Sequence, residues 1–114
     1  MLVIFMASFK LTFRDAQRLV DDWIRRYGGG YWSPLSMLAA LVEEVGELSR
    51  ELNAIEGPKK RKIDEAKSDI GMELADIVFA VICIANYYGI DLEKEFMKVI
   101  EKYTKRDIDR WKKP

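Results

Sequence analysis

The chain contains no histidine and only one cysteine. Without histidine, catalytic Ser–His and Cys–His pairs and imidazole metal ligands are excluded. The single cysteine, Cys83, cannot form a disulfide within the chain, and its place in an apolar run predicts a small buried side chain. A bound metal ion would therefore need oxygen ligands, which favour Mg²⁺, Mn²⁺ or Ca²⁺.

A net charge is also lacking, because 19 basic and 19 acidic residues cancel. This balance argues against a general binder of nucleic acid polymers, which needs a basic excess. We find no segment as long as a membrane span, and the apolar residues 1–6 lack the basic leader and cleavage site of a signal peptide. We expect a cytoplasmic protein with an N-terminal extension at residues 1–10 and one domain at residues 11–114.

Helical periodicity and capping residues predict four helices, with no strand alternation. Thr12 caps the first helix, which ends near Tyr27, and Ser33-Pro34 begins the second. The second helix should end near Glu56 and be followed by a basic loop at Lys59 to Lys62. The third helix should begin between Ile63 and Ser68 and end at Tyr88. The fourth should run from Asp91 to about Trp111. The fold class is therefore all-α, an antiparallel four-helix bundle.

The second helix carries glutamates beside its apolar stripe. At about 100° per residue, the stripe consists of Leu41, Val45, Leu48, Leu52 and Ile55. Glu44 falls at its edge, Glu47 and Glu51 just beyond it, and Glu43 toward solvent.

The third helix repeats this pattern with Glu73 and Asp76, which are three residues apart and share a face. The following run, residues 77–85, is apolar on every side and should be buried, either centrally or against another subunit. Two such acidic pairs on neighbouring helices would repel each other, and divalent cations are the natural counter-charge. Carboxylate-held Mg²⁺ leaves positions for water and phosphates, which indicates hydrolysis of a phosphate ester or phosphoanhydride.

These residues also resemble a known family. Residues 43–47 (EEVGE) followed by residues 73–76 (ELAD) are similar to the E-E-x-x-E and E-x-x-D signature of MazG-like nucleotide pyrophosphohydrolases. Residues 31–34 (YWSP), residues 89–92 (GIDL), and Lys102 with Arg106 resemble the segments around that signature. The resemblance covers roughly residues 11–111.

The resemblance implies an all-α homodimer or homotetramer that cleaves a nucleoside or deoxynucleoside triphosphate to the monophosphate and pyrophosphate, an activity suited to nucleotide-pool house-cleaning. It implies dependence on Mg²⁺, with Mn²⁺ as a substitute. The charge balance and the lack of a membrane-length segment add the expectation of no nucleic acid polymer and no membrane as partners. Glu44, Glu47, Glu73 and Asp76 match the metal ligands of the family.

Further roles are expected for Glu47 and for three substrate-binding residues. Because the chain has no histidine, Glu47 is the candidate general base. Trp32 could stack on the base of the nucleotide, and Lys102 and Arg106 could bind the triphosphate. Two alternatives stay open: a non-catalytic nucleotide-binding or oligomerisation module, and a structural bundle with salt-bridged acids.

Overall fold

A computed structural model describes residues 10–58 and 69–110, and these residues form four α-helices with no β-strand among them. The helices are α1 at Phe13–Arg26, α2 at Pro34–Glu56, α3 at Ile70–Tyr87 and α4 at Leu92–Asp107. The predicted all-α class is confirmed. Residues 1–9 of the expected N-terminal extension and the Lys59 to Lys62 loop lie outside the described residues.

Local capping signals fix where three of the helices begin. Thr12 and Asp15 form a reciprocal capping box at α1, in which each side chain accepts the backbone N–H of the other residue. The Ser33 hydroxyl accepts the backbone N–H of Ser36 in the first turn of α2, and Pro34 occupies the first helical position. Asp91 caps α4 by accepting the N–H of Lys94. These three starts agree with the sequence prediction.

Two predicted boundaries are wrong. Helix α3 begins at Ile70, later than expected, because Asp69 has extended backbone angles and its side chain caps the helix through the N–H of Gly71. Helix α4 ends at Asp107, and the next three residues form a turn.

A small core lies between α1, α2 and α3. Its buried side chains are Val20 and Ile24 from α1, Met37 from α2, and Ile82 and Cys83 from α3. The prediction that Cys83 is a small buried residue is confirmed. Helix α2 packs mainly on α3, α3 also packs on α1, and α4 makes its main contact with α1. Helix α4 has no buried residue.

The face of α2 that packs within the chain differs from the predicted apolar stripe. Met37 and Glu51 are only 5% and 3% exposed, whereas Val45, Leu52 and Ile55 are 43–49% exposed. Because α2 packs mainly on α3, only one of its two apolar sides is covered. Compared with the predicted stripe, the covered side is rotated about the helix axis toward the glutamates. Glu51 is therefore buried, and it has an interaction partner in the fold.

Helix α3 has the length and composition of a possible membrane span, which corrects the expectation that no segment approaches such a length. One helix of this kind is weak evidence for a span, because the core helix of a water-soluble domain meets the same criteria. Helix α3 also carries Glu73 and Asp76, which would be costly in a lipid environment.

Candidate functional site

Three of the four predicted metal ligands lie together where α2 packs on α3. Carboxylate oxygens of Glu44, Glu73 and Asp76 all lie within 4.8 Å of one another. The spacing of three residues places Glu73 and Asp76 on one face of α3, and α2 presents Glu44 to that face. The structure thus joins acids that are about 30 residues apart along the chain into one cluster, here called the carboxylate triad.

Desolvation and mutual repulsion raise the pKa values of two members of the carboxylate triad. The pKa of Glu44 is raised by desolvation, then by the charges of Asp76, Glu47 and Glu43. The pKa of Glu73 is raised by desolvation, then by the charges of Asp76, Glu47 and Glu44. A divalent cation would offset this repulsion, and three carboxylates supply the oxygen ligands that Mg²⁺ prefers. The residues therefore fit a hard divalent cation.

Glu47 lies beside the carboxylate triad but outside it. Its side chain is 51% exposed and faces Arg50 across 4.0 Å, a long and solvated ion pair. Its charge nevertheless contributes to the raised pKa of both Glu44 and Glu73. Glu43 is exposed, as its place on the helical wheel predicts, and its charge raises the pKa of Glu44 less than the charges of Asp76 and Glu47 do.

A cavity of about 330 Å³ adjoins the triad, with Glu44 and Asp76 among its lining residues. The rest of its lining is almost wholly apolar or aromatic: Trp23, Ile24, Gly28, Gly30, Tyr31, Trp32, Met37, Ala40, Phe79, Ala80 and Cys83. A mostly apolar cavity with a few convergent polar groups is the common form of a small-molecule site.

The cavity walls follow from the same helical spacing that positions the acids. On α3, Asp76, Phe79 and Cys83 recur at intervals of three and four residues and therefore share a face. On α2, Met37 and Glu44 are two turns apart and share a face in the same way. These two walls were not among the predicted site residues, although counting outward from Glu44 and Asp76 at helical intervals gives them. The same counting does not give the wall that Trp23 of α1 adds.

Aromatic rings supply much of the cavity surface. Trp32, the predicted base-stacking residue, lies in the same cavity as Glu44 and Asp76 and is 62% exposed. Trp23 packs edge-on against Phe79, with 5.8 Å between ring centroids. Flat apolar rings beside an anionic cluster suit a ligand with a flat ring at one end and a cation-bound group at the other.

The loop before α2 presents Tyr31 and Trp32 to the cavity. Gly29 and Gly30 have φ angles of +76° and +97°, a region in which residues with a side chain are strained, and they let the chain turn sharply after α1. The Tyr31 hydroxyl donates a 2.6 Å hydrogen bond to Asp21. Burial, followed by this hydrogen bond, raises the pKa of Tyr31 to about 12.

The two predicted triphosphate-binding residues lie elsewhere in the same chain. Lys102 and Arg106 sit on α4 over the ring of Tyr103, at 5.2 Å and 4.8 Å from its centroid. Arg106 also donates two hydrogen bonds to Asp107, of 3.0 Å and 2.7 Å. Neither residue lines the cavity beside the carboxylate triad.

Comparison with known proteins gives consistent matches over most of the chain. The family model of the MazG nucleotide pyrophosphohydrolase domain matches residues 32–111. YpjD of Bacillus subtilis (strain 168) is 42% identical over 100 residues, which cover 88% of this chain and 90% of YpjD. YvdC of the same organism is 29% identical over 98 residues, covering 81% of this chain and 92% of YvdC.

Two solved structures share the fold. The crystal structure of YpjD from Bacillus subtilis matches with a TM-score of 0.76 at 39% identity, covering 86% of this chain and 98% of YpjD. The crystal structure of a Bacillus-conserved MazG protein, described as a nucleotide pyrophosphohydrolase, matches with a TM-score of 0.73 at 42% identity. That match covers 89% of this chain and 98% of the chain of the MazG protein.

Proposed function

This chain belongs to the MazG nucleotide pyrophosphohydrolase family, and we propose that it cleaves a nucleoside triphosphate to the monophosphate and pyrophosphate with the help of a divalent cation. The observation that carries this proposal is the position of the carboxylate triad at an aromatic-walled cavity. The triad suits a cation, and the cavity suits a flat heterocyclic base.

In this proposal, Glu44, Glu73 and Asp76 hold Mg²⁺ or Mn²⁺. A bound cation would supply positive charge against the phosphate oxygens and so lower the cost of the developing charge in the transition state. The acids themselves would hold the phosphate end of the nucleotide at the mouth of the cavity only through that cation, because carboxylates and phosphates repel each other.

Glu47 is proposed as the general base. Its carboxylate borders Glu44 and Glu73 closely enough to affect the pKa of both, and its exposed position leaves it accessible to water. A water oxygen would attack the α-phosphorus while Glu47 accepts the water proton. The bond between the α-phosphorus and the bridging oxygen would break, and intact pyrophosphate would leave.

The cavity is proposed to bind the base of the nucleotide. Trp32 offers an exposed ring for stacking, and Trp23 and Phe79 form a second aromatic surface. Stacking of a base on an aromatic side chain is worth roughly 1–3 kcal/mol and tolerates several bases. This supports a nucleotide as the ligand, whichever base is preferred.

Assembly into a homodimer or homotetramer is part of the same proposal. Three helices keep large apolar side chains exposed at helical intervals: Leu38, Val42, Val45 and Leu52 on α2, Leu74, Val78 and Val81 on α3, and Phe96, Ile100 and Tyr103 on α4. Extended apolar surfaces of this kind usually mark interfaces. Since Lys102 and Arg106 do not reach the cavity of their own chain, a role in binding the triphosphate would place them at the site of a neighbouring copy.

A cytoplasmic location without a membrane partner also remains our proposal. Burial of α3 between copies would account for its apolar length without a membrane.

The activity is tested by incubating the protein with each common ribo- and deoxyribonucleoside triphosphate and Mg²⁺, and by measuring pyrophosphate. We expect pyrophosphate from at least one nucleotide and none from the Glu73→Gln variant. Nucleotide binding without turnover would favour a non-catalytic module, and absence of both would contradict a nucleotide site.

A further inference from the structure

Tyr31 lines the cavity, and its hydroxyl is held between two helices by residues that do not line that cavity. It donates to Oδ1 of Asp21 on α1 at 2.6 Å and accepts from Nδ2 of Asn86 on α3 at 3.1 Å. The ring packs against the buried core cluster. The only proton that the hydroxyl could donate is therefore committed to Asp21.

Asn86 and Gln17 extend this contact into a network across the fold. Asn86 Nδ2 donates to the backbone oxygen of Gln17, and Gln17 Nε2 donates to Oδ1 of Asn86, both at 2.9 Å. Gln17 also donates to the backbone oxygen of Ile90 at 2.8 Å and accepts the N–H of Leu92 at 2.9 Å. One polar network thus joins α1, the Tyr31 loop, the end of α3 and the start of α4.

The loop that carries Tyr31 needs such a restraint. Gly29 and Gly30 precede it, and glycine gives the backbone more conformational freedom than any other residue. Trp32 follows directly, with its ring at the cavity and 62% exposed, and Ser33 then caps α2. Tyr31 is therefore the point at which the cavity wall is attached to the rigid helices.

We propose that Tyr31 is a positioning residue, which Asp21 and Asn86 hold by its hydroxyl so that the Tyr31–Trp32 segment forms a fixed wall for the nucleotide base. This inference rests on the proposed function of the cavity as a nucleotide site. The hydroxyl takes no part in the chemistry, so its removal weakens nucleotide binding and leaves the chemical step intact.

Tyr31→Phe tests this most directly, because it keeps the ring and removes both hydroxyl contacts. We expect KM for the nucleotide to rise roughly three- to thirtyfold, since each hydrogen bond contributes on the order of 1 kcal/mol. We expect kcat to change less than about twofold. Tyr88→Phe is the matched control, because it also removes a tyrosine hydroxyl but at an exposed residue that does not line the cavity. The kinetic constants of this control variant should stay at wild-type values.

Asp21 provides a rescue experiment. Asp21→Asn keeps a carbonyl oxygen that can accept the Tyr31 proton and should retain a KM close to that of the wild type. Asp21→Ala removes the acceptor and should raise KM as Tyr31→Phe does. Equal KM values for the two Asp21 variants would overturn the proposed restraint.

A measurement that needs no turnover separates this inference from the proposed activity. The chain has three tryptophans, so labelling with 5-fluorotryptophan gives three ¹⁹F resonances that Trp→Phe variants can assign. The Trp32 resonance should shift and change in width in Tyr31→Phe but not in Tyr88→Phe. If the wild type hydrolyses no nucleotide, the proposed function fails while this spectrum still tests the positioning role.

Several results would overturn the positioning role. An unchanged Trp32 resonance in Tyr31→Phe would do so, as would reduced stability with an unchanged KM, which would make the hydroxyl merely structural. A large fall in kcat at unchanged KM would mean that Tyr31 acts in the chemical step.

Discussion

At the scale of single residues, neighbouring glutamates on α2 have different surroundings. Glu44 belongs to the carboxylate triad, and Glu47, one turn later, borders it. Glu43 is exposed and is not part of the triad, although it is adjacent in sequence to Glu44. The charge of Glu47 affects the pKa of two triad members, whereas that of Glu43 affects only one and least strongly.

Glu47→Gln and Glu43→Gln should therefore differ in activity. Glu47→Gln keeps the size of the side chain and removes its basicity, so kcat should fall by at least about 10²-fold. Glu43→Gln should have a far smaller effect. Steady-state kinetics with saturating Mg²⁺ measure both, and circular dichroism checks that both variants are folded. Equal losses in kcat would contradict the geometric distinction between the two residues.

Glu44→Gln should stabilise the protein when metal is removed. Because the folded-state pKa of Glu44 is raised, ionisation of this group costs stability as pH rises above its ordinary value of 4.5. In EDTA at pH 7 the variant should therefore melt at a higher temperature than the wild type, and the gap should narrow near pH 4.5. Adding Mg²⁺ should raise the melting temperature of the wild type more than that of the variant. A wild type indifferent to Mg²⁺ would argue against a cation at the triad.

The sequence was sufficient to predict the acids of the site but not all the residues that line the cavity beside them. Glu44, Glu73 and Asp76 could be found because helical spacing alone determines which acids share a face. Trp23 and Phe79 meet only through the packing of α1 on α3, which a single helix does not encode. For the same reason the sequence did not reveal that Lys102 and Arg106 lie on a helix that packs away from the cavity.

At the scale of helices, local capping signals predicted where the helices begin. The way in which the helices pack against one another was predicted less well. Thr12, Ser33 and Asp91 mark helix starts because their side chains satisfy free backbone N–H groups within a few residues. The rotation of α2 could not be predicted in this way, because α2 has two apolar sides and the helical pattern does not say which one α3 covers. The result is a buried Glu51 and an exposed Val45.

The link between the helices at Tyr31 should show in the pH dependence of stability. The pKa of Tyr31 is raised from 10.0 to about 12, so between these values the unfolded chain loses the proton while the folded chain keeps it. The stabilisation from the protonated hydroxyl is thus complete below pH 10 and is lost as pH rises toward 12, by at most roughly 2–3 kcal/mol.

Urea denaturation of the wild type and Tyr31→Phe measures this effect as a difference, which cancels the titration of the other groups. The difference in free energy of unfolding should be constant from pH 7 to 9 and should decrease above pH 10. A difference that stays constant up to pH 11 would mean that the hydroxyl is not shielded in the fold.

At the scale of the whole molecule, one chain leaves much apolar surface uncovered. Helix α4 buries no side chain, and α2 and α3 each keep an exposed apolar stripe. Residues 77–85 are expected to be buried, either centrally or against another subunit. Within one chain Ala80, Ile82, Cys83 and Ala85 are buried, whereas Val78 remains 49% exposed. Self-association would cover these stripes and bring α4 of one copy near another.

Val42→Arg should weaken this association. Val42 lies in the exposed stripe of α2 and is 61% exposed, so the new charge costs little in a single chain but would be buried in an interface. Size-exclusion chromatography with light scattering should show the wild type as a dimer or tetramer at micromolar concentration and the variant as a smaller species. Ala39→Arg places the same charge about 100° around the helix from the centre of the stripe and is the matched control. A wild type that is strictly monomeric would contradict the proposed interface.

The central claim is that this cavity and its carboxylate triad split a nucleoside triphosphate between the α- and β-phosphates. A ³¹P NMR time course of the best nucleotide with Mg²⁺ tests it most directly, because every phosphorus product is seen at once. We expect pyrophosphate and nucleoside monophosphate to appear together in equal amounts, and neither to appear in EDTA or with Glu73→Gln. Orthophosphate and nucleoside diphosphate as the first products would contradict it.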